Sequence, residues 1–339
     1  MSYKKYICHY SSIQKPFGPH SVPDDFICTS DANFVEHFDL KKIGMHHIVL
    51  PSSHRSSLPH AESHEEEFVY VISGHPDVWI NGVLYRLRPG GAVGFPAGTG
   101  ICHSFLNNSK SDVTLLVLGE RTKSENQFIY PLNLDLAESV GLSWWSDWPQ
   151  QSLGSENCIP GSGHALSRPY PESRAIVDAP SIARQATFSY PGDSEKETFG
   201  AGVRLTDLLG MKALGVWHEQ LMPGKRSSWP HAHKHEEELA YILSGQAKIW
   251  LNGYLYEAKA GDAIYFPPGT NIAHTIINDS TDPVEYIGIG QANAGESVEQ
   301  VIYPHHPARN DDCRLAGIYW HDAPTVGQFG PHDGRPLKS

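Results

Sequence analysis

The stretch "PHAHKHEEEL" at residues 230–239 has the spacing of a metal-binding strand. Residues i and i+2 of a strand point to the same face, so the imidazoles of His231 and His233 can reach one point. Glu238 follows after an acidic turn, and His274 comes roughly 40 residues later, behind a Pro-Gly turn. Three neutral imidazoles and one carboxylate make a borderline donor set. It suits Fe, Mn, Zn, Ni or Co better than the all-oxygen shells preferred by Ca or Mg. An octahedral metal held by four protein ligands keeps two positions open for substrate or oxygen.

A second set stands 171 residues earlier in "PHAESHEEEF": His60, Glu62, Glu67 and His103. Glu62 takes the place of His233, and this harder donor shifts preference toward Mn or Fe. The alternative is that this copy has lost its metal and is kept for packing. His64 and His235 fall in the acidic turn and read as solvated, although a register shifted by two would make His235 a ligand in place of His231. His218, with Gln220 on the same face of the preceding strand, is a candidate general base beside the metal. Its counterpart is His47. Arg55 and Arg226 precede the "SS" pairs and read as surface ion pairs, with capture of a substrate carboxylate as the alternative. Tyr241, Trp250 and Phe266 are expected in the core or pocket wall, and Cys102 as a buried thiol facing away from His103.

The elements that must carry these residues are duplicated. Residues 60–107 and 231–278 share 23 identities in 48 positions without a gap, and "IYP" recurs at 129–131 and 302–304. Two long copies indicate one duplicated domain rather than a solenoid. Runs such as "FVYVISG" and "LAYILSG" are β-branched and aromatic and end in glycine. "NGVLYRL" and "NGYLYEA" open on Asn-Gly, a strong hairpin signal. Short strands between Gly and Pro turns predict an all-β chain, sandwich or barrel, with few short helices, one of them near "LDLAESVGL". The division expected is 1–150 for the first domain with its leading arm, 151–200 for a linker and second arm, and 201–339 for the second domain.

With those residues in view, each copy resembles a cupin domain. The family's first motif, G(X)5HXH(X)3–4E(X)6G, falls on Gly224, His231, His233, Glu238 and Gly245, with one extra residue before the first histidine. The second, G(X)5PXG(X)2H(X)3N, falls on Gly261, Pro267, Gly269, His274 and Asn278, with four residues instead of two before His274. The resemblance implies a bicupin: two tandem antiparallel jelly-roll barrels, each with a metal site in its mouth. It implies a metal-dependent enzyme on a small organic molecule, with a dioxygenase-like oxidoreductase as the leading expectation. A lyase, isomerase, hydrolase or a non-catalytic binder is the alternative. The residues around the ligand strand do not match those of oxalate-decarboxylating members.

Bulk properties narrow the partners. Lys and Arg number 26 against 38 Asp and Glu, a formal charge of −12. Such a surface repels phosphate backbones and anionic lipid, so neither nucleic acid nor membrane is expected as a partner. No apolar run reaches the length of a membrane span, and the first residues lack the apolar core of a signal peptide. Five widely spaced cysteines without a CxxC pair favour a reducing, cytoplasmic setting. Two barrels in one chain are expected to act as a monomer with an internal pseudo-dimer, or as a homodimer.

Overall fold

The structure is a computed structural model. It describes residues 3–19, 24–121, 123–161, 173–184, 190, 197–291 and 298–337. Within the expected linker, 162–172, 185–189 and 191–196 lie outside the described residues.

Both Asn-Gly pairs form the predicted hairpins. Asn81 and Gly82 have φ of 47° and 82°, and Asn252 and Gly253 have 46° and 90°. Both residues of such a turn need positive φ, which Asn tolerates and Gly adopts freely. The turns join Asp77–Ile80 to Val83–Arg86, and Gln246–Leu251 to Tyr254–Lys259. Short helical turns occupy Leu134–Leu136, Ala137–Val140 and Gly141–Ser143, where a helix was expected.

The chain divides into two compact units. The first comprises Ile13–Ser181 and Leu205–Lys212. Its main antiparallel sheet runs Ile176–Asp178, Gly91–Phe95, Glu67–Ser73, Val113–Glu120, Ile43–Leu50, Cys28–Asn33 and Gly18–Pro19. A three-stranded sheet of His103–Leu106, Asp77–Ile80 and Val83–Arg86 accompanies it. Residues of both sheets, among them Val69, Val93, Val78, Phe105 and Leu115, form one buried core cluster.

The second unit repeats this plan with Met1–Ser12, Ile182–Arg204 and Ala213–Ser339. Its six-stranded sheet runs Ile7–His9, Asp262–Phe266, Glu238–Ser244, Val284–Gln291, Leu214–Leu221 and Ala201–Arg204. The companion sheet holds Lys225–Arg226, His274–Asn278, Gln246–Leu251 and Tyr254–Lys259. Ile242, Ile249, Ile264, Phe266 and Tyr286 belong to its core cluster.

The boundaries differ from the expected 1–150, 151–200 and 201–339. Ile7–His9 pairs with Asp262–Phe266 in the second unit, with His9 opposite Asp262. Ile176–Asp178 pairs with Gly91–Phe95 in the first unit, with Asp178 opposite Gly91. The arm strand is therefore duplicated too, in the same register. Each arm adds to the barrel of the other half of the chain because it completes an otherwise unpaired sheet edge. Leu205–Lys212 likewise belongs to the first unit, where Lys212 N donates to Glu66 Oε1 at 2.8 Å.

Candidate metal centre

In the second unit the ligand atoms of His231, His233, Glu238 and His274 all lie within 4.8 Å of one another. His231 and His233 flank Ala232, which is buried with its side chain on the opposite face. Glu238 opens the strand Glu238–Ser244, and His274 opens His274–Asn278. A backbone bridge between His231 and His274 brings the two strand ends together. Glu238 Oε2 is 3.1 Å from His274 Nε2 and 3.2 Å from His233 Nε2. His231 Nδ1 donates to the Trp229 carbonyl at 2.8 Å, which leaves its Nε2 free to accept. Phe266 stacks on His274 at 3.9 Å and 12° and fixes that ring.

The electrostatics are those of ligands waiting for a cation. Burial would raise the Glu238 carboxyl, but His274 and His233 outweigh it and hold it well below the usual carboxylate range. Burial, with His274 and His233 beside it, lowers His231 to about 3, so that imidazole is neutral and its lone pair is available. Three imidazoles, one of them with its lone pair free, and an ionised carboxylate at mutually short distances fit a divalent transition metal.

A cavity of about 200 Å³ opens onto this group. Its wall includes Trp217, Glu219, Ser228, Phe266, Ile276 and Tyr286. Glu219 and Tyr286 stand opposite each other on adjacent strands, and the Tyr286 hydroxyl donates to Glu219 Oε2. Burial raises the Glu219 carboxyl above its ordinary range, against the pull of the Tyr286 hydrogen bond.

His218 is not on this wall. Its neighbours Trp217 and Glu219 line the cavity, and strand alternation turns His218 to the opposite face. There it is 1% exposed, with Nε2 3.7 Å from Glu285 Oε2. Gln220 joins it on that face and donates to Glu285 Oε1 at 3.0 Å. The titratable residue that this strand turns to the cavity is therefore Glu219, one position on, and Tyr286 is its hydrogen-bond partner. One signal was available in the sequence: 171 residues earlier these positions hold Ile48 and Leu115, an apolar pair.

In the first unit, His60, Glu67 and His103 bring their ligand atoms within 4.8 Å of one another, and Glu62 is not part of that group. His103 Nε2 lies 3.2 Å from Glu67 Oε1, and Phe95 stacks on His103 at 3.5 Å and 8°. Glu62 faces an acid-rich cavity with Glu65, Glu66 and Glu120. Burial, then the charges of Glu67 and Glu65, push its carboxyl up to about 9. His64 and His235 stand outside both groups, and the predicted thiol Cys102 is fully buried.

The two arginines correct a further expectation. Neither forms a surface pair. Arg226 is 1% exposed and binds both carboxylate oxygens of Glu197, at 2.8 and 2.6 Å, and the Gly334 carbonyl at 2.7 Å. Arg55 repeats the arrangement with Asp24 and the Cys158 carbonyl. Each guanidinium ties an incoming segment and an outgoing one to the barrel just ahead of its serine pair.

Residues 46–119 and 217–290 each match the family model described as "Cupin domain". The chain therefore carries two cupin domains and is a bicupin. Among curated proteins it is similar to an uncharacterized protein, MJ1618, of Methanocaldococcus jannaschii, 35% identical over 69 residues. That match spans 20% of this chain and about half, 54%, of the relative. Among solved structures it is similar to oxalate decarboxylase from Bacillus subtilis at pH 4.6, with a TM-score of 0.53 and 15% identity. That alignment covers 95% of this chain and 87% of the other. A second structure of the same enzyme, solved in work on its Mn(II) centres, gives 0.53 and 15% over 94% and 85%. At such identity the likeness speaks for the fold alone.

Proposed function

We propose that the second barrel is the catalytic centre of a metal-dependent enzyme acting on a small organic substrate. One observation carries this reading: three imidazoles and a carboxylate converge within 4.8 Å at the floor of a cavity that also holds a hydrogen-bonded Glu–Tyr pair. A divalent transition metal bound by His231, His233, Glu238 and His274 would supply Lewis-acid or redox chemistry toward the cavity.

The chain's own residues supply the rest. Glu219, when ionised, takes a proton from a substrate group in the cavity, and burial sharpens its basicity. Tyr286 donates to Glu219 and orients it. Trp217, Phe266 and Ile276 exclude water and shape a small pocket. Proton transfer of this kind favours a lyase or isomerase. A dioxygenase-like oxidation is the second reading, favoured by the mixed nitrogen and oxygen donor set, which is compatible with Fe or Mn.

The internal repeat supplies the test. Ile48 and Leu115, opposite each other on the same two strands of the first unit, show that this register accommodates an apolar pair. The double variant Glu219→Ile with Tyr286→Leu is therefore expected to fold and keep its metal, while substrate consumption falls at least about 100-fold. The protein is purified without chelators, its metal measured, and small acids and aromatics screened with an oxygen electrode. Metal lost on His274→Ala supports the centre, and oxygen uptake decides between the two reaction classes. A protein without transition metal, or a double variant of unchanged turnover, refutes the proposal.

A further inference from the structure

The chain holds the same metal strand in two versions, so each barrel is a control for the other. His233 and Glu62 occupy one position of that strand: His233 stands opposite Val301, and Glu62 opposite Phe128. Their successors bond alike, Lys234 N to Gln300 O at 2.9 Å and Ser63 N to Gln127 O at 3.0 Å. Glu299 accepts from His235 N at 3.1 Å, and Asn126 Oδ1 accepts from His64 N at 3.0 Å. Glu299 and Asn126 are therefore also one position. Two neighbouring positions have changed together, His with Glu in one barrel and Glu with Asn in the other. Glu236, the other carboxylate near His233, is matched by Glu65 and does not vary.

The changes are chemically complementary. His233 turns Nε2 toward Glu238, and turns Nδ1 toward Glu236 Oε2 and Glu299 Oε1, each at 3.6 Å. Carboxylates beside Nδ1 hold the proton there and leave the Nε2 lone pair for a metal. The same carboxylate beside Glu62 would repel it. Asn126 instead brings an amide: it is 4% exposed and its Nδ2 has no hydrogen-bond partner. An amide N–H can donate to a carboxyl at position 62.

We propose that Glu299 and Asn126 are positioning residues that set the ligand at the second place of the metal strand. Glu299 makes His233 an imidazole ligand in the second barrel. Asn126 keeps Glu62 as a carboxyl outside the ligand group of the first. The second barrel then prefers nitrogen-seeking Co, Ni or Zn, and the first binds more weakly with a tilt toward Mn. This rests on the metal-centre reading above.

The test uses the full chain in two backgrounds. His60→Ala with His103→Ala leaves only the second barrel to report, and His231→Ala with His274→Ala leaves only the first. Co2+ and Mn2+ are titrated against a competing chelator, and the visible bands of Co2+ report its ligands. In the first background Glu299→Asn is expected to loosen Co2+ by about 10–100-fold and Mn2+ less. Glu299→Gln keeps the shape and removes the charge, and it decides the matter if Glu299→Asn melts early. In the second background, Glu62→His with Asn126→Glu is expected to bind Co2+ at least about tenfold tighter than Glu62→His alone. The inference fails if loss of the Glu299 charge changes affinity by less than about threefold, or if Asn126→Glu adds nothing. If the first background binds no Co2+ before Glu299 is altered, the metal-centre reading falls and takes this inference with it.

Discussion

Replacing Arg226 by Met keeps most of the side-chain volume and removes only the guanidinium. Three hydrogen bonds go with it, two to Glu197 and one to Gly334 O. Trp229 Nε1 still donates to Glu197 at 3.0 Å. Breaking a buried ion pair from one side costs about 3–5 kcal/mol, because the remaining charge is left without compensation. The Glu197 side chain is 25% exposed, so water recovers part of this, and about 2–4 kcal/mol is expected. In a unit of this size each kcal/mol lowers Tm by roughly 2–4 °C, so the melting of the second barrel falls by about 6–12 °C at the midpoint of that range. The double variant Arg226→Met with Glu197→Gln leaves no unpaired charge and regains at least about half of the loss. Calorimetry of the three variants tests the argument. A fall below about 2 °C for Arg226→Met, or a double variant worse than the single, would refute it. The loss should also reach the candidate metal cluster: Ser228, two residues on, has its hydroxyl 3.2 Å from His231 Nδ1.

Two further outcomes follow from the same structure. The contact with His218 and the Arg184 guanidinium outweigh burial and pull the Glu285 carboxyl from its ordinary 4.5 down to about 2. A lowered pKa stabilises the fold above the unfolded value, and the gain is lost as pH falls from about 4.5 to about 2. Discounted for a side chain 30% exposed, it amounts to about 1–2 kcal/mol. Glu285→Gln should thus destabilise at pH 7 and make little difference at pH 2, and urea melts at both values decide it. Gly253→Ala meets two obstacles: φ is +90°, and the added Cβ would lie 2.4 Å from Gly330 N. Backbone cannot move aside as a flexible side chain can, so a loss of about 2–3 kcal/mol is expected. A Tm within 2 °C of the parent would contradict that account.

The ligands were legible because metal chemistry constrains residue type and local spacing together. HxH reads directly as one strand face, and each Asn-Gly marks its own hairpin. Parity was harder. "LGVWHEQL" has the burial pattern BBBiBiiB, without clean alternation, and a one-residue error in facing exchanged Glu219 for His218. The pairing of Glu219 with Tyr286, 67 residues apart, reveals which face is wet. The arm strands were missed because three residues carry too little pattern, and because each pairs with the other half of the chain. Glu62 presents the same difficulty in its sharpest form. Taken alone, an exchanged ligand cannot distinguish a decayed site from a retuned one, because decay and adaptation both remove the imidazole. The distinction lies in the partner: decay leaves the residue facing Glu62 unconstrained, whereas adaptation demands that it stop repelling a carboxylate. Asn126, standing where Glu299 faces His233, meets that demand, and on the proposal above the first barrel is one adapted around Glu62.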